Sequence, residues 1–349
     1  MATPCVVARL LLPDDANPSG NVHGGTTLKL MEEAGMIVAT RHMSATPAGE
    51  GSLAALVRFE TMAFHKPIYV GEVASCRCEI LFTSKQSILV EVVVTAEDFS
   101  KAETRVTNTG WLWYVPMKPR DENDTQGEWV VVSVPQMAVP DEEGALRKYE
   151  RAREHYEKRK LIEDDGQGVT ADETKSSVDD DGFEAFKKQY TPPDDGRTPA
   201  ESEQVLAQIV LPGDCGMDKV AFAGFVMKLM DNAAGCSAWR HCRTNVVTVA
   251  ISDMDFVSWV RLGDLCTIKS RAVFASAKSL EIEVAASVAN TRGEEKNVAR
   301  GLFTFVSIGK DGKVRTLPGM MLESEEDMKH SYLGQRRYEA AKRARSSGR

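Results

Sequence analysis

Gly25-Thr-Thr-Leu-Lys-Leu-Met-Glu-Glu-Ala34 returns 199 residues later (25 to 224) as Gly224-Phe-Val-Met-Lys-Leu-Met-Asp-Asn-Ala233. The match runs without a gap over residues 25–42 and 224–241, with eight of eighteen positions identical, and both copies end on Arg-His. One repeat at so long a period marks a duplicated domain rather than a solenoid, whose period is a few tens of residues. The copies differ where chemistry is expected. Asn21-Val-His-Gly-Gly25 leads into the first and Val220-Ala-Phe-Ala-Gly224 into the second, and Glu32 stands opposite Asp231.

Following the repeat outward extends it. A longer loop after Met43 lowers the offset to 192, and Phe64, Gly71 and Phe82 then fall on Phe256, Gly263 and Phe274. Gly110-Trp-Leu-Trp-Tyr-Val115 lies over Gly301-Leu-Phe-Thr-Phe-Val306. Each copy reads as a short strand, a loop, one long helix and four strand-like runs rich in β-branched residues. The helices carry apolar side chains almost all round (Leu28, Leu30, Met31, Met36, Ile37, Val38), so they are expected to be buried. One buried helix against an antiparallel sheet is an α+β arrangement.

The domain plan that follows is 1–118 and 203–318 for the two copies, 119–202 for a linker and 319–349 for a tail. Glu142 to Leu161 reads as an exposed helix with Glu and Arg/Lys at helical spacing. Residues 163–201, rich in Asp, Gly, Ser, Thr and Pro, read as largely disordered, with Phe183, Phe186 and Tyr190 able to dock one short turn. Arg336-Arg-Tyr-Glu339 in the tail repeats Arg147-Lys-Tyr-Glu150, so the duplication is expected to include an appended helix.

Composition narrows the function. There are 43 Lys+Arg against 51 Asp+Glu, a formal charge of −8, which argues against a nucleic-acid partner. Seven cysteines without a C-x-x-C pair fit reduced thiols. Cys76 and Cys78 share one strand face, too few for a closed zinc site, and His65, His155 and His330 have no ligand set, so no metal is expected. The start, Met-Ala-Thr-Pro-Cys, has neither a charged n-region nor an apolar run. No signal peptide, no membrane span and a cytoplasmic location are expected.

The Asn-x-His-Gly-Gly loop running into a buried helix with Met-Glu-Glu resembles the hotdog-fold acyl-CoA thioesterases. Two such units in one chain, with Lys-Leu-Met-Asp in the second, resemble the double-hotdog members of that family. The resemblance covers about residues 5–118 and 203–310. It implies a tandem double hotdog that hydrolyses fatty acyl-CoA to free fatty acid and coenzyme A. It needs no cofactor, since coenzyme A is part of the substrate. It further implies self-association, as a trimer of double-hotdog chains.

The chemistry needs a polarised carbonyl and an activated water or carboxylate nucleophile. A helix N-terminus offers unpaired amides and the positive end of the helix dipole. Gly24 and Gly25 let a substrate carbonyl approach those amides. In the family, units pack helix beside helix, and each site takes its loop from one unit and its acid from the other. That implies one site from Asn21, Gly24 and Gly25 with Asp231, and a second from Val220, Ala223 and Gly224 with Glu32. The second lacks the amide side chain and has Phe222 for His23, so it is expected to be vestigial. Asp231 is the expected base or nucleophile, Asn21 orients water or carbonyl, and His23 positions the loop or touches substrate. Arg41-His42 and Arg240-His241 are expected to cap their helices. Ser84, Lys85, Ser276 and Lys278 are candidates for the coenzyme A phosphates, or equally hairpin turns. Two other readings stay open. One is a non-hydrolytic acyl-CoA binding or sensing protein, which retention of both Asn21 and Asp231 disfavours. The other is a hotdog enzyme, such as a hydratase, acting on another thioester.

Overall fold

The computed structural model describes residues 4–347 except 19, 121–128, 165–178, 217–218, 253 and 310. Along the first copy run β1 (Cys5–Leu10), α1 (Gly24–Ser44), β2 (Leu53–Phe64), β3 (Val73–Thr83), β4 (Ile88–Asp98) and β5 (Glu103–Pro119). The connecting region holds β6 (Trp129–Val131), α2 (Glu143–Asp164), α3 (Asp180–Gln189), β7 (Gly196–Arg197) and α4 (Pro199–Ser202). The second copy holds β8 (Gln204–Ile209), α5 (Ala223–Cys242), β9 (Val246–Ile251), β10 (Met254–Phe256), β11 (Leu265–Ala275), β12 (Leu280–Ala289) and β13 (Glu295–Ser307). β14 (Gly319–Met320) and α6 (Glu325–Ser347) follow.

The two copies share one antiparallel sheet of twelve strands, in the order β1-β3-β4-β5-β2-β10-β13-β12-β11-β8. β6 adds to β5, and β9 bridges β13 and β2. The seam between copies pairs Phe59 with Met254 and Arg58 with Asp255, and the Arg58 guanidinium donates to both Asp255 oxygens at 2.8 and 3.0 Å. The alternating strand pattern buries one face under the helices. Val90, Val92, Val94, Ile282 and Val284 are fully buried, as are Leu28, Met31, Met227 and Met230 on the helices.

α1 and α5 pack against each other through their N-terminal turns. A Cβ on Gly25 would stand 2.9 Å from the Lys228 Cα, and one on Gly224 2.9 Å from the Lys29 Cα. The repeated glycine is therefore required where the two backbones cross, rather than for substrate access.

The appended helices also follow the repeat. α2 lies on β3 and α6 on β11. Phe82 meets Tyr149 at 5.7 Å, and their repeat partners Phe274 and Tyr338 meet at 5.8 Å. Disorder was expected over 163–201. Residues 179–201 instead carry α3, β7 and α4, while 165–178 lie outside the described residues. The aromatic residues explain the order: Phe183 and Phe186 each pack 5.7 Å from Tyr332, and the Tyr190 hydroxyl donates to the Met320 carbonyl at 3.1 Å. No helix among the described residues is long and apolar enough to cross a membrane.

Candidate active site

α1 begins at Gly24 with His23 as its N-cap. The loop before it is pinned on both sides. His23 N–H donates to the Asp15 carbonyl at 2.8 Å, Val22 N–H to Ile68 O at 2.8 Å, and Asn17 N–H to Asn21 O at 2.7 Å. The antiparallel approach of α1 and α5 then carries Asp231 of the second copy to this loop. Asp231 is 1% exposed. Its Oδ2 accepts the Gly25 N–H at 2.7 Å and lies 3.0 Å from His23 Nδ1, and its Oδ1 accepts the Thr248 hydroxyl at 2.8 Å. The carboxylate thus accepts from one backbone amide and one hydroxyl beside an imidazole nitrogen. His23 Nδ1 also lies 3.1 Å from Gly25 N. The Gly25 N–H is thus shared between Asp231 Oδ2 and His23 Nδ1, the helix N-cap.

A cleft of about 1700 Å³ opens over this carboxylate, with Asn21, His23, Gly24 and Asp231 in its lining. The Gly24 N–H has no acceptor among the described residues. A Cβ on Gly24 would stand 2.9 Å from Asp231 Oδ2, so glycine keeps the space beside the carboxylate open.

The repeat-related position is built differently. Glu32 is buried and faces Gly224 across the helix pair, with no donor to its Oε2. Burial, with the neighbouring Glu33 charge, pushes its carboxyl up to about 8, against the Gly224 amide and Lys29, which pull it down. Phe222 caps α5 without a side-chain hydrogen bond. Leu56 stands where Thr248 does: Leu56 pairs with Tyr114 and Thr248 with Phe305, themselves repeat partners. Trp259, the repeat partner of cleft-lining Pro67, packs against Trp129 of β6 at 5.7 Å.

Several sequence expectations are corrected here. Ser84, Lys85, Ser276 and Lys278 are not among the residues lining the cleft. The serines close hairpins, Ser84 Oγ against Ser87 Oγ at 2.7 Å and Ser276 Oγ against Ser279 Oγ at 2.8 Å. His42 and His241 bind later segments rather than capping their own helices: their Nε2 atoms meet the carbonyls of Pro135 at 2.7 Å and Pro318 at 3.0 Å. Thr248 was missed, although its alignment with Leu56 was the available signal. Among the described residues, no group of three His, Cys, Asp or Glu side chains is placed to hold a metal.

The thioesterase superfamily pattern matches residues 19–103 and again 218–293. The cytosolic acyl coenzyme A thioester hydrolase of Homo sapiens is 35% identical over 337 residues, covering 96% of this chain and 82% of that protein. The protein of the same name from Rattus norvegicus is 35% identical over 335 residues, covering 95% and 81%. A solved structure described as an oleoyl thioesterase from Lactobacillus plantarum matches with a TM-score of 0.54 over 88% of this chain and 98% of that one, at 8% identity, a likeness of fold alone. With near-complete coverage by such relatives and the superfamily pattern present twice, the chain belongs to the acyl-CoA thioester hydrolase family of the thioesterase superfamily.

Proposed function

We propose that this chain hydrolyses fatty acyl-coenzyme A to free fatty acid and coenzyme A, at one site per chain built from both halves. The observation that carries the proposal is the crossed contact: a buried carboxylate of the second copy accepting the first amide hydrogen bond of the first copy's helix at 2.7 Å. The thioester carbonyl oxygen takes the Gly24 N–H and the Asn21 side-chain amide, at the positive end of the α1 dipole. Asp231 acts as base on a water in the cleft. The water oxygen bonds to the carbonyl carbon, its proton passes to Asp231, and the C–S bond breaks. The thiolate of coenzyme A then recovers the proton. His23 and Thr248 hold the carboxylate in place, and water and side chains suffice for every step. The halves at 1–118 and 203–318 are the two catalytic partners, with 119–202 as linker and 319–349 as tail. The relatives' names place them in the cytosol, and the same location is proposed here.

Self-association as three chains is part of the proposal. The two sheet edges support it: Val6 and Leu10 on β1, and Val205 and Ile209 on β8, are exposed at repeat-related positions. Exposed apolar edge strands call for a partner. Light scattering is expected to give three times the chain mass; a monomer would contradict the assembly.

A thiol-release assay over a series of acyl-CoA lengths tests the activity. Wild type is expected to release coenzyme A catalytically, and Asn21→Ala to lower kcat by about 100-fold, the scale of one lost oxyanion donor. Tight acyl-CoA binding without thiol release would favour a sensor.

A further inference from the structure

We infer that Asn108 is a further catalytic residue, whose side-chain amide donates to the thioester carbonyl oxygen beside the Gly24 N–H and the Asn21 amide; this rests on the acyl-CoA reading above. Asn108 is 1% exposed, and its Nδ2 has no acceptor among the described residues. It lines the cleft that holds Asp231. A buried donor without an acceptor is costly, and native proteins retain few of them. One that faces a substrate cleft is explained when the substrate brings the acceptor.

The sheet carries this donor to the reacting carbonyl. Asn108 on β5 pairs in register with Phe64 on β2. Directly paired residues project from the same face of a sheet with their side chains adjacent. The Phe64 ring reaches the start of α1: a Cβ on Gly24 would stand 3.3 Å from its Cζ and 2.9 Å from Asp231 Oδ2. Two positions along β5, a Cβ on Gly110 would stand 3.2 Å from Met31 Cε, so this face of the strand looks onto α1. Thr27, in the first turn of α1, lines the cleft together with Phe64 and Asn108. A fatty acyl group offers one strong hydrogen-bond acceptor, its carbonyl oxygen, and that is the atom held at Gly24.

The repeat supplies an internal control. Asn108 falls on Ala299, and the register agrees: Phe64 pairs with Asn108, and its repeat partner Phe256 pairs with Ala299. The polar side chain thus stands only on the side that holds Asp231, in step with Asn21 against Val220 and His23 against Phe222. Ala299 is buried, so the fold accepts a small apolar side chain at this register.

Calorimetric binding of two uncleavable analogues to the full chain tests the contact, alongside hydrolysis of acyl-CoA. One is an acyl-CoA ketone, with CH2 in place of the thioester sulfur; the other is an alkyl-CoA thioether, which lacks the carbonyl. Wild type is expected to bind the ketone more tightly. Asn108→Leu and Asn108→Ala should each weaken the ketone by about tenfold, the size of one hydrogen bond, and leave the thioether within about twofold. In thiol release both should lower kcat by about 100-fold, the scale of one oxyanion donor. The thermal midpoint of Asn108→Leu should match or exceed that of wild type, because no hydrogen bond within the chain is lost. Equal losses on both analogues in both variants, or none, would overturn the contact, and retained kcat with a lower midpoint would make Asn108 a structural residue. An Asn108-dependent preference for the ketone in a wild type that cleaves no thioester would uphold the contact while removing the hydrolase reading.

Discussion

Asp231 and Glu32 stand at equivalent points of the two helices and have opposite surroundings. Asp231 meets an amide, a hydroxyl and an imidazole nitrogen, whereas Glu32, fully buried, has the Gly224 amide but no donor to its Oε2. The raised carboxyl of Glu32 makes a stability statement. Its folded value, about 8, lies above the ordinary 4.5 of a glutamate carboxyl. The favourable protonated form is fully present below the unfolded value and is lost as pH rises through the folded one. Glu32→Gln is therefore expected to gain stability relative to wild type between about pH 4.5 and 8, by about 1.4 kcal/mol per pH unit. Urea denaturation of both proteins across that window checks it; a pH-independent difference would contradict a buried neutral acid. Thr248→Val removes one donor from Asp231 and is expected to lower kcat by about tenfold, read by thiol release. The loop and the acid were legible in the sequence because the repeat mismatches exactly there: Asn21 against Val220, His23 against Phe222, Asp231 against Glu32. Thr248 was legible only through its alignment with Leu56, because a lone threonine in a β-branched strand has no local signature of its own. The serines at 84 and 276 misled because hairpin turns and phosphate sites use the same residue types.

At the scale of elements, the crossing of α1 and α5 fixes the site. Both helices are tight at the same repeated glycine, so the loop–acid distance depends on backbone contact rather than on side-chain packing. Gly25→Ala is expected to destabilise the chain by about 1–3 kcal/mol, because the new methyl meets the Lys228 backbone and neither helix can yield freely. Thermal or chemical denaturation reads this, and an unchanged midpoint would contradict the close crossing. Helix and strand types follow from hydrophobic period, so α1, α5 and the strand runs were readable. α3 was not, because its order comes from Phe183 and Phe186 meeting Tyr332, which lies more than a hundred residues away in the chain.

The whole molecule joins two half-sheets at the β2–β10 seam, and the consequence is that the proposed site draws on both halves. The first half holds Asn21 with Glu32, and the second holds Asp231 with Val220. Even if either half pairs with itself, it cannot bring Asn21 to Asp231. Residues 1–118 and 203–318 made separately are each expected to fall at least about 100-fold below the full chain in thiol release. The tandem plan was legible because the repeat spans most of both halves. The most direct measurement compares thiol release by Asp231→Ala and Glu32→Gln in the intact chain. Asp231→Ala is expected to lose activity by about 1000-fold, with Glu32→Gln within about twofold of wild type at neutral pH. Full activity in Asp231→Ala, or an equal loss in both, would contradict a single site shared across the repeat.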